Sequence, residues 1–368
     1  MMIAANKQPA FGLGAINNCY GCCGYGRGPY QKRKLNSRTD HQLHLICGSC
    51  YLPKENQEKP LGEDAHFICH DAQTIGVADG VGGWARKGVD AGEYARGLMN
   101  QAKKTATDIT RSSAAAVNPR KVLNEAYANN AGVQGSSTAC ILSLDKERGT
   151  LHAVNVGDSG FMVFRDNMCF FKSSTQQRSF NCPYQLGNYV GGDCPEAAEE
   201  FEVEELRPGD IIVLGTDGLL DNIFASEIEE VIVAYEVSGQ DCEELASYIA
   251  NLALYNSLDK YNVSPFQMEA QKAGREHVGG KIDDITVVVA RVLASTTLKN
   301  KNKNIYTKSY QLKGTLEPPL EPTACSFSFT LVRQRAFDVP CQNAFLRYTF
   351  SCFRNSANLA KRFLECAT

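Results

Sequence analysis

Between residues 43 and 293 the chain alternates short, nearly unbroken apolar runs with longer stretches in which apolar residues recur every third or fourth position. The runs predict buried strands at His44–Leu52, Phe67–Cys69, Thr74–Ala78, Ser137–Leu144, Leu151–Val156, Gly160–Phe164, Asp210–Leu214 and Ile285–Val292. The helical period predicts helices over Asp90–Thr107, Pro119–Asn130, Ser226–Val237 and Asp241–Ser257. In the first of these Tyr94, Ala95, Leu98, Ala102 and Ala106 share one face, and Ser226 with Glu229 reads as a capping box for the third. Only Gly157-Asp158-Ser159 separates two strand runs, which predicts an antiparallel hairpin and excludes a purely parallel doubly wound sheet.

Several runs stop at an aspartate beside glycine. Gly62-Glu63-Asp64-Ala65-His66 precedes one strand, and Asp79-Gly80-Val81-Gly82-Gly83 closes another. Gly215-Thr216-Asp217-Gly218-Leu219-Leu220-Asp221 and Gly279-Gly280-Lys281-Ile282-Asp283-Asp284 repeat the theme. Taken singly, each is also consistent with a tight turn whose aspartate caps a helix. Taken together they suggest convergent carboxylates, which repel one another unless a cation joins them. Hard oxygen ligands without a matching His/Cys set favour Mg²⁺ or Mn²⁺ over Zn²⁺.

Composition is that of a globular protein, with 43% hydrophobic residues, 21% charged residues and a net charge of −3 over 368 residues. That total hides an asymmetry: formal charge is +5 for residues 1–40, −15 for 41–298 and +7 for 299–368. An acidic middle argues against nucleic-acid binding and suits a site that gathers cations. The three stretches are expected to be an N-terminal segment (1–40), one catalytic domain (41–298), and a polar linker and tail (299–368). In that tail Asn343–Cys366 could form a basic helix with Phe345, Phe353, Phe363 and Leu364 on one side. No apolar run has the length of a membrane span.

The cysteine count is 15, an odd number, and no secretory signal pattern opens the sequence, so free thiols in a reducing compartment are expected. Cys19-x-x-Cys22 and Cys47-x-x-Cys50 have zinc-ligand spacing, but the second pair falls inside a predicted strand. Cys69 and Cys140 fall on strands and read as core residues. Residues 1–40 hold no acid before Asp40, which suggests import into a mitochondrion or plastid; otherwise the expected location is cytoplasmic.

The motifs Glu63-Asp64-Ala65-His66, Val77–Gly83, Gly135-Ser136-Ser137-Thr138-Ala139, Val156–Gly160, Gly215–Asn222 and Gly279–Thr286, in this order, resemble the PPM (type 2C) family of metal-dependent protein serine/threonine phosphatases. The resemblance spans about residues 43–293, and the wording around Asp79–Trp84 looks like the compact branch of plants and organelles. It implies an α+β fold, an α/β/β/α sandwich of two mainly antiparallel sheets flanked by helices. It implies two Mn²⁺ or Mg²⁺ ions per site, in some members with a weaker third, and water activated between them as the attacking group. By the same resemblance Asp79 would bridge the ions and Gly80 would ligate through its carbonyl. Asp217 and Asp283 would complete a shell, Asp64 and Glu63 would act at the metals directly or through water, and Asp158 and Asp221 would match the third-ion position. Asp284 would have a supporting part, and Lys59 stands where the family has an arginine that grips phosphate. His66 is as readily structural as catalytic.

The sequence departs from the family at Val81, where many members carry a histidine proposed to protonate the leaving group. A pseudophosphatase that only binds is therefore the competing reading, which intact Asp79, Asp217 and Asp283 oppose. Phosphoproteins are the expected partners, with the protein as a monomer. The segment Ser173–Glu205 is expected to border the site, where substrate choice is made.

Overall fold

The computed structural model describes residues 42–295 except 58, 59, 114 and 237–240. The expectations for 1–40, for the tail, for the Cys19–Cys22 pair and for Lys59 fall outside the described residues. Strands β1 (Leu43–Leu52), β2 (Asp64–Cys69) and β3 (Thr74–Asp79) lead through a 3-10 turn at Gly82–Lys87 to helices α1 (Ala91–Ser112) and α2 (Pro119–Asn129). Then come β4 (Ala139–Asp145), β5 (Thr150–Val156), β6 (Gly160–Arg165), β7 (Met168–Lys172), β8 (Gln177–Ser179), β9 (Cys182–Pro183) and β10 (Glu199–Val203). β11 (Ile211–Gly215), α3 (Asp217–Leu220), α4 (Ala225–Glu236), α5 (Cys242–Leu258), α6 (Pro265–Lys272) and β12 (Ile285–Ala294) complete the order.

Two five-stranded sheets form the centre, one ordered β1-β12-β11-β6-β7 and the other β10-β5-β4-β3-β2, with antiparallel neighbours throughout. Between them lie Ile75, Val77, Leu142, Phe161, Val163, Leu214 and Val288. On the outer face of the second sheet, Tyr94 and Leu98 of α1 and Leu123 of α2 pack on Phe67, Ile141 and Val154. On the outer face of the first, Ile228 and Ile232 of α4 and Ile249 and Ala253 of α5 pack on Val213, Val287 and Val289. The result is the expected α/β/β/α sandwich. Strands covered on both faces need apolar residues at every position, which is why the sequence shows runs rather than alternation. Truncating a fully buried residue such as Leu98 or Ile249 to alanine costs about 2–5 kcal/mol.

Helix ends follow local chemistry. Asp90 caps α1 by accepting from Gly92 N–H (2.9 Å), Asn118 caps α2 through Lys121 N–H (3.1 Å), and Asp241 caps α5 through the N–H groups of Glu243 and Glu244 (both 3.0 Å). The Ser226/Glu229 capping box does not form. α4 starts earlier, and Glu227 reaches back to Phe224 N–H (2.9 Å), while Glu229 is drawn away to accept from Cys169 N–H (2.8 Å) on β7.

The predicted hairpin across residues 157–159 is also absent. β5 pairs with β4 and β10, and β6 with β11 and β7, so the short link crosses from one sheet to the other. Gly157, at φ +103°, makes the swing. Its carbonyl accepts from Asn155 Nδ2 (3.1 Å) and Gln176 N–H (2.9 Å), so no ladder partner is needed there. The eight cysteines of the described residues are all free thiols, with Cys69 and Cys140 buried in the core. Among the described residues no helix is long and apolar enough to cross a membrane.

Candidate metal centre

Chain crossings at one end of the two sheets bring the acids together. Asp64 begins β2 and Asp79 ends β3, and the register sets them directly opposite. Asp158 sits in the crossover between the sheets. β11 ends at Gly215, which is paired with Gly160 on one side and Val287 on the other. Asp217 therefore opens α3 beside the start of β6, and Asp221 follows one turn later. Asp283 and Asp284 lead into β12 at the same end.

One oxygen each from Asp79, Asp158 and Asp217 lie within 4.8 Å of one another. In Asp64, Asp158 and Asp217 the protein holds one carboxylate oxygen and leaves the other without a partner. Asp64 Oδ2 accepts from Thr216 Oγ1 (2.8 Å) and Thr286 Oγ1 (2.7 Å), and Asp158 Oδ2 from Gln177 Nε2 (3.0 Å). Asp217 Oδ2 accepts from Lys281 Nζ. The Oδ1 atoms of Asp64, Asp158 and Asp217 are buried with no hydrogen-bond partner. Leaving three such acceptors unmatched is expensive, on the order of 1–3 kcal/mol each. Hard, converging, unmatched carboxylate oxygens fit a divalent cation that prefers oxygen, Mg²⁺ or Mn²⁺.

The electrostatics agree. Burial, then Asp217 and Asp64, raise the Asp79 carboxyl well above its usual range. Burial, then Asp284, do the same for Asp64 against the opposing hydroxyls of Thr286 and Thr216. Burial, then Asp217 and Asp221, push Asp158 up to about 8. Asp221 is pushed up to about 7 by burial, with Lys281 opposing. Asp283 goes the other way: burial resists its ionisation, but Lys281 and Lys54 outweigh it and lower the pKa. Lys281 and Lys54 are themselves raised, because the carboxylates around them more than offset burial.

Glycine and backbone tighten the cradle. A Cβ on Gly80 would stand 2.6 Å from the Glu63 carbonyl and 2.7 Å from that of Ala91, so only glycine fits there. Gly80 N–H donates to Glu63 O (3.0 Å), and Asp79 N–H to Thr138 Oγ1 (3.0 Å). Asp284 accepts from Lys54 N–H (2.8 Å) and Glu63 N–H (3.0 Å), holding two loops against the centre. Val81 only caps the following 3-10 turn and donates its N–H to Ser136 O (3.0 Å). The charged neighbour that acts on His66 is Lys103 of α1, which together with burial lowers its pKa. The segment 173–205 does touch the site, through Gln177 on Asp158.

Two lysines were not singled out by the sequence reading. Lys54 Nζ lies 2.9 Å from Asp283 Oδ1, 3.2 Å from Glu63 Oε2 and 3.4 Å from Asp284 Oδ2. Lys281 Nζ joins Asp217, Asp221 (2.9 Å) and Asp283 (3.2 Å). Nothing local marks Lys54. Lys281 stands in the Gly279–Thr286 motif, two residues before Asp283, and its position there was the available signal. Thr216 and Thr286 lie in the Gly215–Asn222 and Gly279–Thr286 motifs, and nothing local marks their hydroxyls.

The family model described as Stage II sporulation protein E (SpoIIE) matches residues 71–293. Among curated proteins, "Probable protein phosphatase 2C 55" of Arabidopsis thaliana is 47% identical over 253 residues, covering 69% of this chain and 53% of that protein. "Probable protein phosphatase 2C 80" of the same plant is 46% identical over 294 residues, covering 80% and 67%. The chain thus spans about half the length of the first and two thirds of the second. The solved "photosystem II phosphatase PBCP" superposes with a TM-score of 0.61 at 34% identity, covering 67% of this chain and 98% of that one.

Proposed function

The chain belongs to the PPM (type 2C) protein phosphatase family, and on that premise we propose that it hydrolyses phosphoserine and phosphothreonine esters in proteins at a centre of two divalent ions, Mn²⁺ or Mg²⁺. The observation that carries the proposal is the meeting of Asp79, Asp158 and Asp217 oxygens within 4.8 Å at the crossing of the two sheets. In this reading Asp79, Asp64, Glu63, Asp217, Asp283 and the Gly80 carbonyl would hold the ions. The ions, when bound, supply an activated water and neutralise charge on the phosphoryl oxygens.

The chain's own residues fix the geometry. Thr216 and Thr286 aim the Asp64 carboxylate, and Gln177 aims that of Asp158. Second-layer bonds of this kind set ligand direction. The resemblance marks Lys59, which lies outside the described residues, for gripping phosphate; Lys54, 29% exposed at the edge of the centre, is the described lysine placed to take that part. Val81 cannot donate a proton, so the leaving serine or threonine oxygen takes its proton from water. No covalent phosphoenzyme is involved, so no cysteine nucleophile is needed.

The test is hydrolysis of a phosphothreonine peptide by the full chain, with and without Mn²⁺. Turnover is expected only with the ion and is expected to vanish in Asp79→Asn. Activity that survives EDTA, or that persists in the variant, overturns the proposal.

A further inference from the structure

The backbone at Lys281 is held on both sides. Lys281 N–H donates to Asn222 Oδ1 (2.8 Å), and Asn222 Nδ2 donates to Lys281 O (2.8 Å) and to Gly218 O (2.9 Å). Asn222 is fully buried at the end of α3, and its own carbonyl accepts from Asn256 Nδ2 of α5 (2.9 Å). On the preceding residues, Gly280 N–H donates to Asp259 O (3.0 Å), and Ser264 Oγ donates to Gly279 O (2.7 Å). A lysine on an ordinary loop swings freely. This one is anchored.

Its side chain is 14% exposed and runs beside Phe266, with Nζ 5.2 Å from the ring centroid. The ammonium donates to Asp217 Oδ2 and Asp221 Oδ2 and lies 3.2 Å from Asp283 Oδ2, so one charge is shared among three carboxylates. The Oδ1 atoms of Asp217 and Asp158 are buried without a hydrogen-bond partner. A divalent ion placed between Asp217 and Asp221 would have to displace the ammonium from both.

We propose that Lys281 is a tethered cation that occupies the outer position between Asp217 and Asp221, so that the centre takes up two divalent ions and no third. The proposal rests on the metal reading above. It makes Lys281 a positioning residue: its fixed charge offsets repulsion among Asp217, Asp221 and Asp283 and holds Asp217 with one oxygen turned inward. A fixed ammonium needs no free-ion concentration to be present. The outer charge would therefore be constant where a weak third ion would come and go.

The experiment counts bound Mn²⁺ on the full chain by equilibrium dialysis and by the electron paramagnetic resonance of free Mn²⁺, without reference to turnover. The wild-type chain is expected to saturate at two ions, Lys281→Met to gain a third weaker site, and Lys281→Arg to stay at two. Asp221→Asn in the otherwise unaltered chain is expected to keep both ions, because Asp221 serves the lysine; this variant decides the matter if Lys281→Met fails to fold. A wild-type chain that binds three ions, a Lys281→Met chain that folds and still binds two, or an Asp221→Asn chain that loses an ion overturns the assignment. A wild-type chain that binds no Mn²⁺ overturns the metal reading itself, an outcome distinct from these.

Discussion

Asp64 stands directly opposite Asp79 across the β2–β3 ladder, two acids at a position where like charges repel. The sheet tolerates the pair because Asp64 is turned onto the hydroxyls of Thr216 and Thr286, which come from the other sheet. The two sheets are thus tied together at the acids themselves.

The Thr286→Val substitution keeps shape and removes one of those hydroxyls. The expected outcome is a loss of about 1–3 kcal/mol in stability for a buried acceptor left short, and a fall of about 10–100-fold in Mn²⁺ affinity. Calorimetric titration of Mn²⁺ beside a denaturant melt checks both.

Gly80→Ala places a Cβ against two carbonyl oxygens, those of Glu63 and Ala91. The backbone has to shift, at a cost of about 1–3 kcal/mol, and the shift moves Asp79. Activity is expected to fall at least tenfold, on the order of the losses seen when positioning is disturbed. A variant with unchanged kcat at saturating Mn²⁺ would refute the close packing.

In EDTA the protein's stability is expected to fall as pH rises. Asp158 and Asp221 are pushed up to about 8 and about 7 in the folded chain, against 3.8 as the ordinary carboxylate value. The folded state then holds more protons than the unfolded one between those values, so its advantage is full below about 4 and lost as pH climbs through about 8. Thermal melts across that window measure the slope, and a flat or rising curve contradicts it. Saturating Mn²⁺ is expected to raise the melting temperature most at the alkaline end, since the ion binds ionised carboxylates.

Cys47 is expected to resist alkylation. Burial and the neighbouring Cys242 push its thiol up to about 12, and burial alone raises that of Cys140. About one part in ten thousand of Cys47 is then thiolate at pH 8. Iodoacetamide at that pH, read by peptide mass mapping, is expected to label exposed Cys182 and Cys194 well before Cys47 or Cys140. Early modification of Cys47 would contradict the packing of β1 on α5.

Much of the layering was legible because each strand buried on both faces writes an apolar run, and each outer helix writes a stripe. The starts of α1, α2 and α5 were legible because Asp90, Asn118 and Asp241 cap through bonds to N–H groups two or three residues on, whereas α1 runs five residues past the expected Thr107, to Ser112. Glu229 was misread because its partner, Cys169 N–H, is 60 residues away.

The sequence by itself determined where the chain must stop and turn. Asp64, Asp79, Asp217 and Asp283 border predicted strands beside glycines, and local propensity acts over those few residues. Tertiary structure alone decided that the three residues after β5 cross between sheets, since pairing depends on which long-range edges are already taken, and β4 and β10 hold both edges of β5. It also decided that Lys54 and Lys281 enter the acidic centre. A long flexible side chain carries its charge far from its own backbone, and only the packed fold fixes which carboxylates receive it.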